Sequence, residues 1–185
     1  MTSYPQRGYT LLEMLVSVAI FSLVMLAAMS AYLTLIDIDK KARATNALVN
    51  NLSFAVDTMA RSIRTGTSYD CGVNGGDCPT GDTQFSFNDS DGCRVTYKLS
   101  VDGTIRQTIR STAQAPACNE VSNALLTDSS INIDAMKFYV IGTDTGDTIQ
   151  PYVTFTIHGS MKADAKGGTV DYAIQTSATQ RIIDL

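Results

Sequence analysis

Four cysteines, one histidine, one acid at the edge of an apolar run and one Asp-rich turn are the places where this sequence has side chains fit for chemistry. Cys71, Cys78, Cys93 and Cys118 permit three disulfide pairings. Cys71–Cys78 would close a short Gly-rich loop and leave Cys93–Cys118 to tie a longer one, which is the pairing we favour. No C-x-x-C spacing is present, so zinc is a minor alternative, and free buried thiols are the other. Disulfides would place this part of the chain in an oxidising compartment. His158 is the only histidine, and a His-based metal site or triad would rest on it alone. We expect an ordinary strand residue there, and neither a metal nor a cofactor. Asp89-Ser90-Asp91-Gly92 has the look of part of a calcium loop, with Asp144 and Asp147 as further candidates. Phe87 and Lys98 stand where an EF-hand needs its first and last ligands, so a solvated turn is the better reading. There is no G-x-S-x-G, no P-loop and no paired acid set, hence no catalytic residue to assign.

The acid is Glu13. From Met14 to Ile36 there is no charge, no Gly and no Pro. Those 23 residues would make a helix about 35 Å long at ~1.5 Å per residue, enough for a hydrocarbon core of ~30 Å. A core helix of a soluble domain rarely stays uncharged for so long. A lone carboxylate at the front edge of such a span is disfavoured, by ~2.5–3.5 kcal/mol at the helix centre and less near the interface. Such a residue is expected to have a partner.

The elements that would position these residues follow from where the helix breakers fall. Between Tyr9 and Thr65 the chain has neither Gly nor Pro, and 12 of the 13 Gly lie at or beyond Gly66, or at Gly66 itself. One continuous helix is expected from about Tyr9 to Thr65, with Gly66 as its C-terminal cap and Arg61 and Arg64 facing the negative end of the dipole. Asp37, Asp39, Lys40, Lys41 and Arg43 mark its exit from the membrane. Leu48, Leu52, Ala55, Met59 and Ile63 then recur as a stripe at helical period, suited to packing on a globular domain. Beyond Gly66 the period becomes two. Strands are expected over Gln84–Asn88, Arg94–Val101, Thr104–Arg110, Ile131–Gly142 (with Ile133, Met136, Phe138 and Val140 inward), Tyr152–His158 and Thr169–Ile183. Asp102-Gly103 is a strong hairpin signal, and residues 159–168 are expected to link the last two strands. The fold class is α+β: a long N-terminal helix, membrane-embedded in its first half and amphipathic in its second, packed on an antiparallel β domain.

The 185 residues carry a net charge of −4. That acidic balance argues against general nucleic-acid binding; Lys98, Arg106 and Arg110 are the only local basic cluster the hairpin offers.

Arg7-Gly8-Tyr9-Thr10-Leu11-Leu12-Glu13, followed by the apolar run, resembles the class III leader of type IV pilins and type II secretion pseudopilins. The resemblance implies a leader at 1–8, a transmembrane and assembly helix at 9–36, its amphipathic continuation at 37–65 and an extracytoplasmic β domain at 66–185. It implies cleavage after Gly8 by prepilin peptidase and N-methylation of Tyr9, where the family more often has Phe. It implies a contact between Glu13 and the terminal amine of a neighbouring subunit. The expected partners are thus the peptidase, other pilin or pseudopilin subunits and the cytoplasmic membrane. Phe54 to Arg64 and the Ala19–Leu23 run are similar to J-type minor pseudopilins and W-type minor pilins, which favours a minor, tip or priming subunit. Ser30 stands where many major pilins have a kinking Pro. Two other classes remain open on the residues. One is a secreted β-domain binding protein cleaved at Ala28-Met29-Ser30 before Ala31; the other is an anchored, adhesin-like protein that never assembles.

Overall fold

The computed structural model describes residues 8–144, 149–163 and 168–181. Arg7, Asp147, residues 164–167 of the expected 159–168 linker and the end of the expected final strand lie outside them. One helix, α1, runs from Leu11 to Thr65, and the chain divides into two compact units, Met1–Lys40 and Lys41–Leu185. The uninterrupted run without Gly or Pro is what allows α1 to continue unbroken.

In the first unit every described residue is exposed except Ile36, which is half-buried. The apolar side chains from Leu11 to Leu35, and Ile38, are therefore left uncovered by the described residues. By length and composition this stretch can cross a membrane. Two of its hydroxyls are satisfied within the helix: Ser22 Oγ donates to the Val18 carbonyl at 2.8 Å and Thr34 Oγ1 to the Ser30 carbonyl at 3.0 Å. Internal satisfaction is what hydrocarbon surroundings require.

In the second unit α1 buries one face. Leu48, Leu52, Ala55, Met59 and Ile63 are all fully buried, with Ala44 and Val56 beside them. This stripe belongs to a core shared with Phe85, Phe87, Tyr97, Phe138 and Phe155. The rings stack or meet edge to face, as for Phe85–Phe138 at 5.4 Å and Tyr69–Phe85 at 5.3 Å.

The β domain is two antiparallel sheets. The strands are β1 Thr67–Cys71, β2 Cys78–Asp82, β3 Gln84–Asn88, β4 Arg94–Leu99, β5 Ile105–Arg110, β6 Val121–Leu125, β7 Ile131–Ile141, β8 Tyr152–Lys162 and β9 Thr169–Thr179. One sheet has the order β1-β3-β4-β5-β6 and the other β2-β7-β8-β9. The Asp102-Gly103 hairpin forms between β4 and β5, with Gly103 at φ 71°. The Gly103 carbonyl accepts the Ile133 N–H at 2.7 Å, so the tip of a hairpin in one sheet ties to β7 of the other. On β7 the inward residues are Ile131, Ile133, Met136, Phe138 and Val140. The step of three between Ile133 and Met136 is a β-bulge: Ile133 pairs with Gly159 and Ala135 with His158.

Several details differ from the sequence reading. Helix α1 begins at Leu11, two residues later than expected, because Thr10 caps it. Gly66 is not in the left-handed region; its missing side chain is required because a Cβ there would lie 2.3 Å from the Phe87 ring and 2.9 Å from the Asn88 carbonyl. The end of α1 is closed instead by Tyr69, whose hydroxyl donates to the Ile63 carbonyl at 2.7 Å, and by the Arg181 N–H on the Arg64 carbonyl at 3.0 Å. Strand β8 extends to Lys162, four residues past its expected end, because cross-strand pairing with β9 continues to Thr169.

Candidate functional site

Residues Gly8 to Glu13 lie at the start of α1. Thr10 is the N-cap: its hydroxyl accepts the Glu13 N–H at 3.3 Å and its carbonyl accepts the Met14 N–H, also at 3.3 Å. Glu13 is consequently the third helical residue, in the first turn, where the unpaired N–H groups make a positive end that favours an acid. The T-x-x-E spacing of Thr10-Leu11-Leu12-Glu13 is the sequence signature of such an N-terminus. That spacing places the first helical residue at Leu11 rather than at Tyr9.

Gly8 precedes the helix in irregular backbone outside the left-handed region, and a side chain there would meet nothing within 4 Å. Neither the fold nor the backbone requires glycine at this position. Tyr9 is 80% exposed. The bond between Gly8 and Tyr9 is thus flanked by residues that no packing covers, as a peptidase substrate needs. Tyr9 stands only four positions before Glu13, so a new amine on Tyr9 and the carboxylate of Glu13 would both lie within about one helical turn of the same helix end.

The cysteines pair as Cys71–Cys78 and Cys93–Cys118. The first joins the end of β1 to the start of β2, strands of different sheets. The second ties the β3–β4 turn to the 111–120 segment ahead of β6. Beside the first disulfide, Asp77 accepts hydrogen bonds from the Gly142 N–H at 3.2 Å and from the Thr143 N–H and hydroxyl at 2.9 and 2.8 Å. Slight burial pushes the Asp77 carboxyl up, but those three hydrogen bonds outweigh it and hold the group below the usual range.

The other sequence candidates resolve as local structure. Asp89 Oδ1 accepts the N–H groups of Asp91 and Cys93, which makes Asp89–Gly92 a turn with Gly92 at φ 82°. Phe87 is fully buried and is no ligand. Asp144 is exposed on the loop after β7. Lys98 and Arg106 face each other across β4 and β5, as do Arg94 and Arg110. Arg106 pairs with Asp102 and Arg94 with Asp70, so much of this positive charge is neutralised locally. His158 lies on β8 with Asp134 and Asp171 brought close to it from the two flanking strands, a juxtaposition with no signal in the sequence.

Neither a curated protein nor a solved structure matches the chain. The family model of the prokaryotic N-terminal methylation motif matches residues 4–29, covering Gly8, Tyr9, Thr10, Glu13 and the first turns of the exposed apolar helix. That match supports placing the chain with the type IV pilins and pseudopilins, whose leader is processed by prepilin peptidase, and the apolar helix that follows it fits anchoring in the inner membrane.

Proposed function

We propose that the protein is a minor pilin or pseudopilin subunit. Prepilin peptidase cuts it after Gly8 and methylates the new amine on Tyr9. The β domain stands outside the cytoplasm, and the mature chain then enters a type IV pilus or type II secretion pseudopilus through its N-terminal helix, as a tip or priming component. The observation that carries this reading is the methylation motif set on an unbroken helix whose residues Leu11 to Leu35 are all exposed. An apolar helix face left uncovered by the described residues suits a life first in lipid and then among other helices, where contacts with protein replace contacts with lipid.

The chemistry of assembly rests on Glu13. A unit pair at ~4 Å is worth ~4 kcal/mol at an effective dielectric of ~20. That is comparable to the ~2.5–3.5 kcal/mol that disfavours an acid at the centre of a span. Pairing with a neighbour's Tyr9 amine would offset the cost and fix the axial stagger between subunits. The role is structural, and extraction from the bilayer falls to a separate motor.

N-terminal mass spectrometry of the protein from its native cells tests the reading. A chain beginning at Tyr9 with one added methyl is the expected result. A start at Ala31 would mean a secreted binding domain, and an intact N-terminus a permanent anchor; either overturns the assembly role.

A further inference from the structure

From the side chains that three adjacent strands bring together on the outer face of the second sheet, we propose that Asp134, His158 and Asp171 form a binding site for one divalent cation of the borderline class, Zn²⁺ being the best fit. One ligand atom from each residue lies within 4.8 Å of the other two, and His158 Nδ1 is 3.6 Å from Asp134 Oδ2. Tetrahedral zinc with bonds of ~2.0–2.1 Å needs ligand atoms about 3.3 Å apart. The gap is within reach of side-chain rotation alone, since all three residues are exposed.

The backbone explains the convergence. The bulge on β7 sets Asp134 and Ala135 together opposite His158, so two successive residues lie on the outer face and Asp134 stands beside the imidazole. On the other side, β9 pairs Ala173 with His158 and Asp171 with Ser160, which puts Asp171 one diagonal step from the imidazole. Asn132 Nδ2 donates to Asp134 Oδ1 at 2.5 Å, which engages one carboxylate oxygen while the other is the oxygen nearest His158.

The donor set selects the cation. Two carboxylates and a neutral imidazole carry a charge of −2, which a dication cancels. A nitrogen donor disfavours Ca²⁺ and Mg²⁺, which take oxygen, and suits Zn²⁺, Co²⁺ or Ni²⁺. Three protein ligands on an open face leave further positions for water. Bound there, the ion would tie β9, an outer strand of its sheet, across β8 to β7.

The test uses the full mature chain in detergent, stripped with EDTA and dialysed. Zn²⁺ is titrated by calorimetry and Co²⁺ by visible absorption. The expected result is one ion per chain, with intense four- or five-coordinate Co²⁺ bands and a higher unfolding temperature in Zn²⁺. His158→Ala should weaken binding at least tenfold, as should Asp134→Asn and Asp171→Asn, while each variant unfolds where the metal-free parent does. Binding that His158→Ala leaves unchanged, or a Co²⁺ spectrum like that of the hydrated ion, overturns the site; the spectrum of the parent chain gives this answer without any variant.

Discussion

The N–H of Glu13 donates to the hydroxyl of Thr10 at 3.3 Å, so the acid at the front of the apolar helix is also a member of that helix's N-terminal cap. Cleavage after Gly8 would leave this arrangement whole, with Tyr9 alone ahead of the cap. The amine created there would add positive charge to an already positive helix end, and Glu13 is the nearest acid in sequence able to compensate it. Local capping and subunit pairing therefore make separable demands on the same turn.

Those demands can be told apart by substitution. Glu13→Ala should be cleaved and methylated at close to the normal rate yet enter filaments at least tenfold less. Thr10→Val should destabilise the first turn by about 1 kcal/mol and leave incorporation within a fewfold of normal. Mass spectrometry reads the processing, and immunoblotting of sheared filaments reads the incorporation. Normal incorporation of Glu13→Ala would remove the charge-pairing account.

Gly8 and Gly66 make a second contrast. A side chain at Gly8 meets open space, whereas one at Gly66 collides with Phe87 and the Asn88 carbonyl. Gly66→Ala should cost about 1–3 kcal/mol, the usual range for overpacking, and lower the unfolding temperature of the domain. Gly8→Val should leave thermal unfolding unchanged and block cleavage. A destabilised Gly8→Val chain would mean that the leader packs on something.

The same residues show what could be read in advance. Helix α1 was legible because breakers are absent from Tyr9 to Thr65, and the β4–β5 hairpin because Asp102-Gly103 has few other uses. The division into two sheets was not, since it depends on which strand pairs with which over long range. Strand β2 contains Pro79 and Gly81 and reads as loop, and β6 is too exposed to alternate. The cluster at His158 was invisible for a related reason. Asp134, His158 and Asp171 are far apart in sequence, and a bulge that the sequence does not announce sets Asp134 opposite His158.

The two disulfides should contribute unequally. Cys71–Cys78 spans 7 residues and Cys93–Cys118 spans 25. Loop-closure entropy gives about 2.4 kcal/mol for the first and about 3.5 kcal/mol for the second. Cys93→Ser with Cys118→Ser should accordingly lower the urea midpoint more than Cys71→Ser with Cys78→Ser. Protease resistance of the domain unchanged by full reduction would contradict both figures.

Acid should loosen the same region through Asp77. Its folded pKa is depressed by the hydrogen bonds from Gly142 and Thr143, so the carboxylate stabilises the fold at pH values above its unfolded pKa of about 3.9. That contribution fades as pH falls through the lower, folded pKa. Asp102 behaves alike: the Thr104 hydroxyl, then Arg106, hold its carboxyl far below the usual range. Unfolding temperature measured from pH 6 to pH 2 should drop below about pH 4. Asp77→Asn should flatten that drop while lowering stability at pH 6, because an amide accepts the Thr143 bonds more weakly than a carboxylate. A variant that loses stability equally at pH 6 and pH 2 would show that Asp77 acts through shape alone, and the charge on the loop between β1 and β2 would then carry no weight in holding the end of β7.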